Sequence, residues 1–358
     1  MEDTPRPVSI QDYEERAREL LPKQAYDYYA GGAEDERTIA DNRAAFSRFV
    51  LRPRVLVDVA ERDLSTTLLG TQVSVPIIAA PTALHRMAHP DGEVETARGL
   101  GDVGALMILS SLASRTMEDV AEVEAARWFQ LYVQRDSNVT AELVKRADAS
   151  GYGAIVLTVD LPVAGARDRD ARNAFTIPEG MGYANLPVRR PPPGEHSDLA
   201  KFIAHQGDAS LNWEHVPWLR SLTDLPFVLK GVIRAEDAAR AVEAGFEGIV
   251  VSNHGGRQLD GTVASIEALP EAVEAVAGRA EVYVDGGVRR GSDVLKALAL
   301  GARAVLVGRP PIWGLAVAGR DGVRHVMEIL RAELDIAMAI AGCPSISDVT
   351  ADLVARRW

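Results

Sequence analysis

The chain has 358 residues, of which 47% are hydrophobic, and a formal net charge of −12. This length suits one large core, since a (β/α)8 barrel takes about 250 residues before insertions, and we expect a single domain over residues 1–358. The acidic balance argues against nucleic acid or anionic membranes as partners. Because we recognise no signal peptide, no apolar run of 18 residues and no peroxisomal or retention signal at 356–358, we expect a cytoplasmic protein.

The first predicted element is a helical segment over residues 10–30, and eight short strand-like runs follow it. These runs are rich in Val, Ile, Leu or Phe and show little apolar–polar alternation, which is typical of parallel strands buried on both faces. The runs are 75–80, 105–109, 128–133, 154–159, 226–229, 248–251, 282–284 and 304–307.

Helical patterns such as 235–244 and 292–300 lie between most of these runs. Eight successive βα units predict an α/β protein with a single closed (β/α)8 barrel, a TIM barrel. We expect the N-terminal helical segment to close the far end of this barrel while reaching the functional face at Tyr28 and Tyr29.

One long insertion interrupts the regular spacing, between the fourth and fifth runs. Its central part, about 175–215, contains Pro191, Pro192, Pro193 and Gly194 and has mixed charge. A connection this long, on the side where the strands end, favours a mobile lid over the active face rather than a decorative surface loop.

Most of the strand-like runs end at a small or polar residue, and in a barrel these ends share the face where active sites are built. One such end would mean little, whereas a series that includes Lys, His and Asp indicates a site. The series comprises Thr82, Ser110, Gln130, Thr158, Asp160, Lys230, Ser252, Asp285 and Gly308.

Two of these ends favour a phosphate-bearing ligand. Residues 285–291, Asp-Gly-Gly-Val-Arg-Arg-Gly, follow the seventh run and precede a predicted helix, and Gly308-Arg309 follows the eighth. Glycine lets backbone N–H groups approach a phosphate, a helix N-terminus favours anions, and an arginine binds phosphate oxygens in bidentate fashion. Barrels often hold phosphate between these two loops.

A candidate catalytic group follows the sixth run in residues 252–258, Ser-Asn-His-Gly-Gly-Arg-Gln. His254 could accept a proton, Asp160 could orient it, and Arg257 with Arg167 could bind a carboxylate, which implies an anionic substrate. Taken singly, these residues could be a structural histidine, a turn cap and surface ion-pair partners. Their convergence on one face carries the interpretation.

Lysine and tyrosine residues leave alternatives open, whereas the remaining histidines and the cysteine do not. Lys230 could stabilise negative charge on a reduced flavin, or form a Schiff base as in barrel aldolases. Tyr28 and Tyr132 could donate hydrogen bonds to a bound anion, or be half-buried core residues. His85 and His89 lack a third ligand, and Cys343 is the only cysteine, so we expect no metal site.

These motifs resemble the family of FMN-dependent 2-hydroxy acid oxidases and dehydrogenases, which includes glycolate oxidase, over almost the whole chain. The resemblance implies FMN as cofactor, His254 as base with Asp160 as its partner, and Tyr132 near the substrate hydroxyl. It implies Arg257, Arg167 and Tyr28 as carboxylate anchors and a homotetramer or octamer as the assembly. The residues expected to hold FMN are Pro81, Thr82, Ala83, Ser110, Gln130, Thr158, Lys230, Ser252, Asp285, Gly286, Gly287, Arg289, Gly308 and Arg309.

Two departures from glycolate oxidases bear on the substrate. Leu112 stands where those enzymes resemble one another in carrying tryptophan, and Ala164 replaces a bulkier aliphatic residue. Both changes enlarge the space beside the substrate side chain, so we expect lactate, longer aliphatic or mandelate-type acids to be preferred over glycolate.

The electron acceptor is predicted from what the sequence lacks. No haem-binding domain and no apolar membrane-binding segment are recognisable, which favours oxygen with hydrogen peroxide as product. A dehydrogenase with another acceptor is the nearest alternative. A lyase barrel with a Schiff base on Lys230 and a non-catalytic phosphate-ligand binder are remote ones.

Overall fold

The computed structural model describes residues 6–191 and 196–357, and a closed barrel of eight parallel strands forms its centre. An N-terminal extension of three helices and three short strands precedes the barrel. Its elements are α1 (Ile10–Leu20), α2 (Lys23–Ala30), α3 (Arg37–Ala44), β1 (Phe49–Leu51), β2 (Thr66–Leu68) and β3 (Thr71–Val73).

The barrel strands follow one another in chain order around the cylinder, and the last pairs with the first. They are β4 (Ile77–Ala79), β5 (Leu106–Ser110), β6 (Arg127–Leu131), β7 (Ile155–Thr158), β8 (Phe227–Val232), β9 (Gly248–Val251), β10 (Glu281–Asp285) and β11 (Ala304–Val307). The (β/α)8 prediction is confirmed, and each strand end lies within about three residues of its predicted position.

Helices pack around the barrel and over its carboxyl end. They are α4 (Glu93–Gly101), α5 (Met117–Ala121), α6 (Ser137–Ala149), α7 (Asp168–Arg172), α8 (Asp198–Gln206), α9 (Val216–Arg220), α10 (Ala235–Glu243), α11 (Ser265–Val276), α12 (Gly291–Ala299) and α13 (Arg309–Ala341). A final strand, β12 (Val354–Arg356), pairs antiparallel with β1. None of these described helices, including the 33-residue α13, combines the length and apolar character needed to cross a bilayer.

The apolar composition of the strands reflects burial on both faces. Alternate residues such as Ile108, Val156 and Val250 pack in a cluster inside the barrel. Their neighbours along the strands, such as Leu109 and Leu157, belong to the larger core shared with the helices. Because neither face meets water, no polar alternation is required.

The N-terminal helical segment is broken, where one helix was predicted. Leu21 has an extended backbone, with ψ 142°, and Pro22 precedes α2. Proline disfavours the helical conformation of the residue before it, which explains why the helix ends at Leu20. The break directs α1 onto α13, whereas α2 reaches the carboxyl ends of the barrel strands.

The expectation that residues 10–30 close the far end of the barrel was wrong. The hairpin of β2 and β3 does so, because its Leu68 belongs to the cluster inside the barrel. The indole N–H of Trp128 donates to Thr71 Oγ1 at 3.2 Å, and Leu69 N–H donates to Glu281 Oε1 at 3.2 Å. Trp128 and Glu281 stand at the amino ends of their strands, so the hairpin seals that end.

The long insertion lies between β7 and β8 and includes α7, α8 and α9. It has packed side chains of its own, since the rings of Tyr183 and Phe202 lie 4.6 Å apart and both are buried. Phe175 stacks on Tyr28 of α2 with ring centroids 4.5 Å apart. Pro192, Pro193 and Gly194 of the predicted lid fall outside the described residues, and its mobility stays a prediction.

Candidate active site

A cavity opens at the carboxyl ends of the barrel strands. Strand ends from around the barrel contribute to it, together with α2 and the insertion. Eighteen predicted site residues line it: Tyr28, Pro81, Thr82, Ala83, Ser110, Leu112, Tyr132, Thr158, Arg167, Lys230, His254, Arg257, Asp285, Gly286, Gly287, Arg289, Gly308 and Arg309.

Three other predicted residues lie just behind this lining. Asp160 contacts His254, Ser252 contacts Lys230, and Gln130 Oε1 accepts a hydrogen bond from Ser110 Oγ at 3.1 Å. The structure therefore brings together all of the predicted site residues, on one face of the barrel.

His254 and Asp160 form a hydrogen-bonded pair. His254 Nδ1 lies 2.8 Å from Asp160 Oδ1, and this contact leaves Nε2 for a ligand in the cavity. Burial lowers the pKa of His254, and the Asp160 charge opposes this only in part. Burial raises the pKa of Asp160. The positive charges of protonated His254 and of Lys230 outweigh this effect, so that the pKa of Asp160 lies below its usual value. A neutral histidine beside a carboxylate can act as a general base.

The backbone of His254 adopts the left-handed conformation, with φ +58°. This conformation is uncommon for residues other than glycine and requires support from the surrounding structure. The hydroxyl oxygen of Ser252 accepts a hydrogen bond from His254 N–H at 3.0 Å. The turn after β9 therefore aims the imidazole into the cavity.

Lys230 is buried and paired. Its Nζ donates to Ser252 Oγ at 3.1 Å and lies 3.3 Å from Asp285 Oδ2. Burial lowers the pKa of Lys230, but the carboxylates of Asp285 and Asp160 outweigh it, so the pKa lies above its usual value. A Schiff-base lysine needs a neutral amine, which a raised pKa disfavours.

Two arginines supply positive charge beside His254. Arg257 Nη1 donates to the backbone carbonyls of Tyr28 at 2.8 Å and Gly31 at 2.7 Å, and Arg167 Nε donates to the Arg257 carbonyl at 3.3 Å. Burial, with the neighbouring Arg167 charge, lowers the pKa of Arg257 to about 10. Over residues 6–191 and 196–357, neither guanidinium forms an ion pair with a carboxylate. Such a pair of cations favours an anionic ligand.

The segment after β10 has the backbone shape of an anion-binding loop. Gly286 and Gly287 have φ +92° and +90°, and a Cβ atom on Gly287 would lie 2.0 Å from the carbonyl oxygen of Asn42. Only glycine fits there. Arg289 and Arg309 stand beside this loop, and burial lowers the pKa of Arg289 to about 10 and that of Arg309 well below its usual value.

The residues expected to hold FMN carry unused hydrogen-bonding capacity. Gln130 Nε2, Thr158 Oγ1, Asp285 Oδ1 and Arg289 Nε are buried atoms without a protein partner among the described residues. Buried polar atoms normally have partners, so this set fits a ligand with polar ring edges, hydroxyl groups and a phosphate. FMN has all three, and the residues present therefore fit it.

The cavity also has an apolar wall, which sequence reasoning found only in part. Leu112 lines it as predicted, but Ala164 is half-buried and does not. Leu161 and Leu199, both from the insertion, line it instead, with Ile312 of α13. Neither leucine stands in a recognisable motif. Only the folding of the insertion back over the barrel brings them to the site, which the sequence does not show.

The fold and this site define a barrel enzyme that holds a phosphate-bearing cofactor beside a histidine–aspartate pair and two arginines. A family model described as FMN-dependent dehydrogenase matches residues 17–356. Human 2-hydroxyacid oxidase 1 is 51% identical over 360 aligned positions, covering 98% of this chain and 97% of that protein. L-lactate oxidase of Nostoc sp. is 50% identical and is covered over 96% of both chains.

Among solved structures, mandelate oxidase with (S)-4-hydroxymandelic acid is similar, with a TM-score of 0.94 and 45% identity over 98% of this chain and 99% of that one. The chain therefore belongs to the FMN-dependent dehydrogenase family, within its group of 2-hydroxy acid oxidases. The predicted family, the FMN cofactor and the class of enzyme are confirmed. This membership leaves no support for a Schiff-base lyase.

Proposed function

We propose that this enzyme oxidises an (S)-2-hydroxy acid to the 2-oxo acid and passes the electrons to oxygen, releasing hydrogen peroxide. The observation that carries the proposal is the His254–Asp160 pair in one cavity with Arg257 and Arg167, neither of which forms an ion pair with a carboxylate among the described residues. A substrate with a carboxylate next to a hydroxyl-bearing carbon satisfies both features.

Each side chain has a separate task in this proposal. Arg257 and Arg167 bind the substrate carboxylate, with Tyr28 beside them. His254 accepts a proton from the substrate, and Asp160 stabilises the imidazolium that results. Tyr132, whose pKa is raised by burial, keeps its proton and donates a hydrogen bond to the substrate oxygen.

FMN, when bound, supplies the two-electron oxidation that these side chains cannot perform. Lys230 places a positive charge next to Asp285 and Thr158, in the part of the cavity proposed for the ring. The loop residues Gly286 and Gly287, with Arg289 and Arg309, are proposed to bind the phosphate. Gly308 would hold the ribityl end and the phosphate together with Arg309. The remaining residues in the cofactor proposal would surround the ring and the ribityl chain: Pro81, Thr82, Ala83, Ser110, Gln130 and Ser252.

The apolar wall supports a substrate larger than glycolate. Leu112, Leu161 and Leu199 line the cavity, so a side chain on the substrate would contact aliphatic carbon. We therefore propose lactate, longer aliphatic or mandelate-type acids as substrates. Mandelate oxidase, one of the similar solved structures, was determined with (S)-4-hydroxymandelic acid, an aromatic acid of this kind. The homotetramer or octamer implied by the family resemblance stays a prediction.

An anaerobic absorbance titration tests the proposal. The purified holoenzyme is mixed with (S)-2-hydroxy acids, from glycolate to lactate, 2-hydroxyoctanoate and mandelate. We expect the flavin band to bleach, fastest with the larger acids, and air to restore it with one peroxide per turnover. Bleaching that air does not reverse would assign a different electron acceptor. Glycolate as the best substrate would refute the size preference.

A further inference from the structure

Asn42 of α3 touches both loops on which the proposed active site depends. It lies outside the barrel and is only 2% exposed. Its side chain contacts the loop that carries His254, and its backbone contacts the loop proposed to bind the phosphate. We propose that Asn42 is a positioning residue that holds these two loops in register; the inference rests on the function proposed above.

The first contact is a reciprocal pair of amides. Asn42 Nδ2 donates to Asn253 Oδ1 at 2.8 Å, and Asn253 Nδ2 donates to Asn42 Oδ1 at 2.8 Å. Asn253 directly precedes His254. Two opposed hydrogen bonds fix which end of the Asn253 amide is the oxygen, since rotating either amide by half a turn would oppose like groups.

The orientation of the Asn253 amide in turn shapes the catalytic turn. Asn253 Oδ1 also accepts from Gly256 N–H at 3.2 Å, and Asn253 Nδ2 also donates to the Val263 carbonyl at 3.0 Å. These bonds close the turn around His254, whose left-handed backbone needs such support. Asn42 therefore acts on His254 through Asn253, without touching the substrate.

The second contact is steric. A Cβ atom on Gly287 would lie 2.0 Å from the backbone carbonyl oxygen of Asn42. A Cβ atom on Gly286 would lie 3.2 Å from the side-chain Nδ2 of Asn42. The glycine loop therefore packs directly on the backbone and the side chain of Asn42. Ser265 adds two hydrogen bonds to the contact between Asn42 and Asn253. Its N–H donates to Asn42 Oδ1 at 3.3 Å, and its Oγ accepts from Asn253 N–H at 3.1 Å.

The test is Asn42→Asp, which keeps the size of the side chain but places a carboxylate oxygen opposite Asn253 Oδ1. We expect the rate of substrate-dependent flavin bleaching to fall about tenfold or more, and the dissociation constant of FMN, measured by fluorescence quenching on the apoprotein, to rise about tenfold. The KM for substrate should change much less, because the carboxylate anchors are not part of these contacts.

Asn185→Asp is the matched control. Asn185 is also a buried amide, 3% exposed, whose Oδ1 accepts from Met117 N–H at 2.8 Å and whose Nδ2 donates to the Arg115 carbonyl at 3.2 Å. We expect a similar loss of thermal stability in both variants, with the loss of bleaching rate and FMN affinity confined to Asn42→Asp. A folded Asn42→Asp enzyme with both quantities unchanged, or an equal loss in both variants, would overturn the inference. If the wild-type protein bound no FMN, the proposed function would fail instead.

Discussion

Gly231 lies so close to Asp160 that a Cβ atom on Gly231 would be 2.7 Å from the Cβ of Asp160. Gly231 also has φ +110°, a backbone conformation that other residues rarely adopt. The absence of a side chain at this position in β8 therefore lets the carboxylate of Asp160 reach His254.

Gly231→Ala should push Asp160 away from His254. We expect flavin bleaching by substrate to slow about tenfold or more, with a loss of about 1–3 kcal/mol in the free energy of unfolding from backbone strain. Gly278→Ala is the control, because Gly278 also has a positive φ, +73°, but a Cβ atom there would meet no other atom within 4 Å. Gly278→Ala should lower the free energy of unfolding without slowing flavin bleaching. Equal kinetics in the two variants would contradict the role given to Gly231.

His254→Asn should remove the base and leave the cofactor in place. Asparagine tolerates the left-handed backbone at position 254 and keeps the N–H that donates to Ser252. We expect flavin bleaching to slow by about 10²–10⁴-fold, the usual contribution of a general base, while the flavin spectrum of the unreacted protein persists. His89→Asn, whose side chain caps Asp91 N–H, is the control. Near-normal bleaching in His254→Asn would show that another group takes the proton.

Asp160→Asn should change the pH dependence as well as the rate. The pKa of His254 lies below its ordinary value, so the neutral base persists into mildly acidic solution. The Asp160 carboxylate raises that pKa, and its removal should move the acidic limb of the pH–rate profile to lower pH. The plateau rate should fall because the imidazolium loses its partner. Stopped-flow bleaching at several pH values measures both. An acidic limb that moved upward would contradict the pairing, and the exposed Asp148→Asn is the control.

Leu112→Trp should reverse the predicted substrate preference. Leu112 is 2% exposed and lines the cavity, so the larger indole would occupy space used by a substrate side chain. We expect kcat/KM for mandelate to fall about tenfold or more relative to kcat/KM for glycolate. FMN affinity should not change. Leu259→Trp, at a 63% exposed position, should leave the ratio as it is. An unchanged ratio in Leu112→Trp would place the substrate side chain elsewhere.

The sequence predicted the parts of this molecule that local chemistry determines. Buried parallel strands carry uninterrupted apolar runs, and the polar groups at their ends occur in compact motifs such as 252–258 and 285–291. For this reason the barrel, and the gathering of the predicted site residues on one of its faces, could be predicted without coordinates.

What escaped prediction depends on distant packing. The β2–β3 hairpin has strands of three residues each, too short for a periodic signal, and its role as a seal comes from contacts with β6 and β10. Leu199 reaches the cavity through the folded insertion. Asn42 stands in α3, a short polar helix without a recognisable motif, and its importance follows only from its contacts with Asn253 and Gly287.

The pairing of β1 with β12 joins the N-terminal extension to the C-terminal strand of the chain, with Phe49 opposite Arg356 and Leu51 opposite Val354. The extension carries Tyr28 and Asn42. This small sheet therefore helps to hold in place residues of the site that it does not contact. Removing residues 354–356 would abolish this pairing, and we expect α2 and α3 of the N-terminal extension to be held less firmly as a result. We therefore expect damage at this remote sheet to weaken FMN binding through Asn42 as well as to lower the stability of the fold.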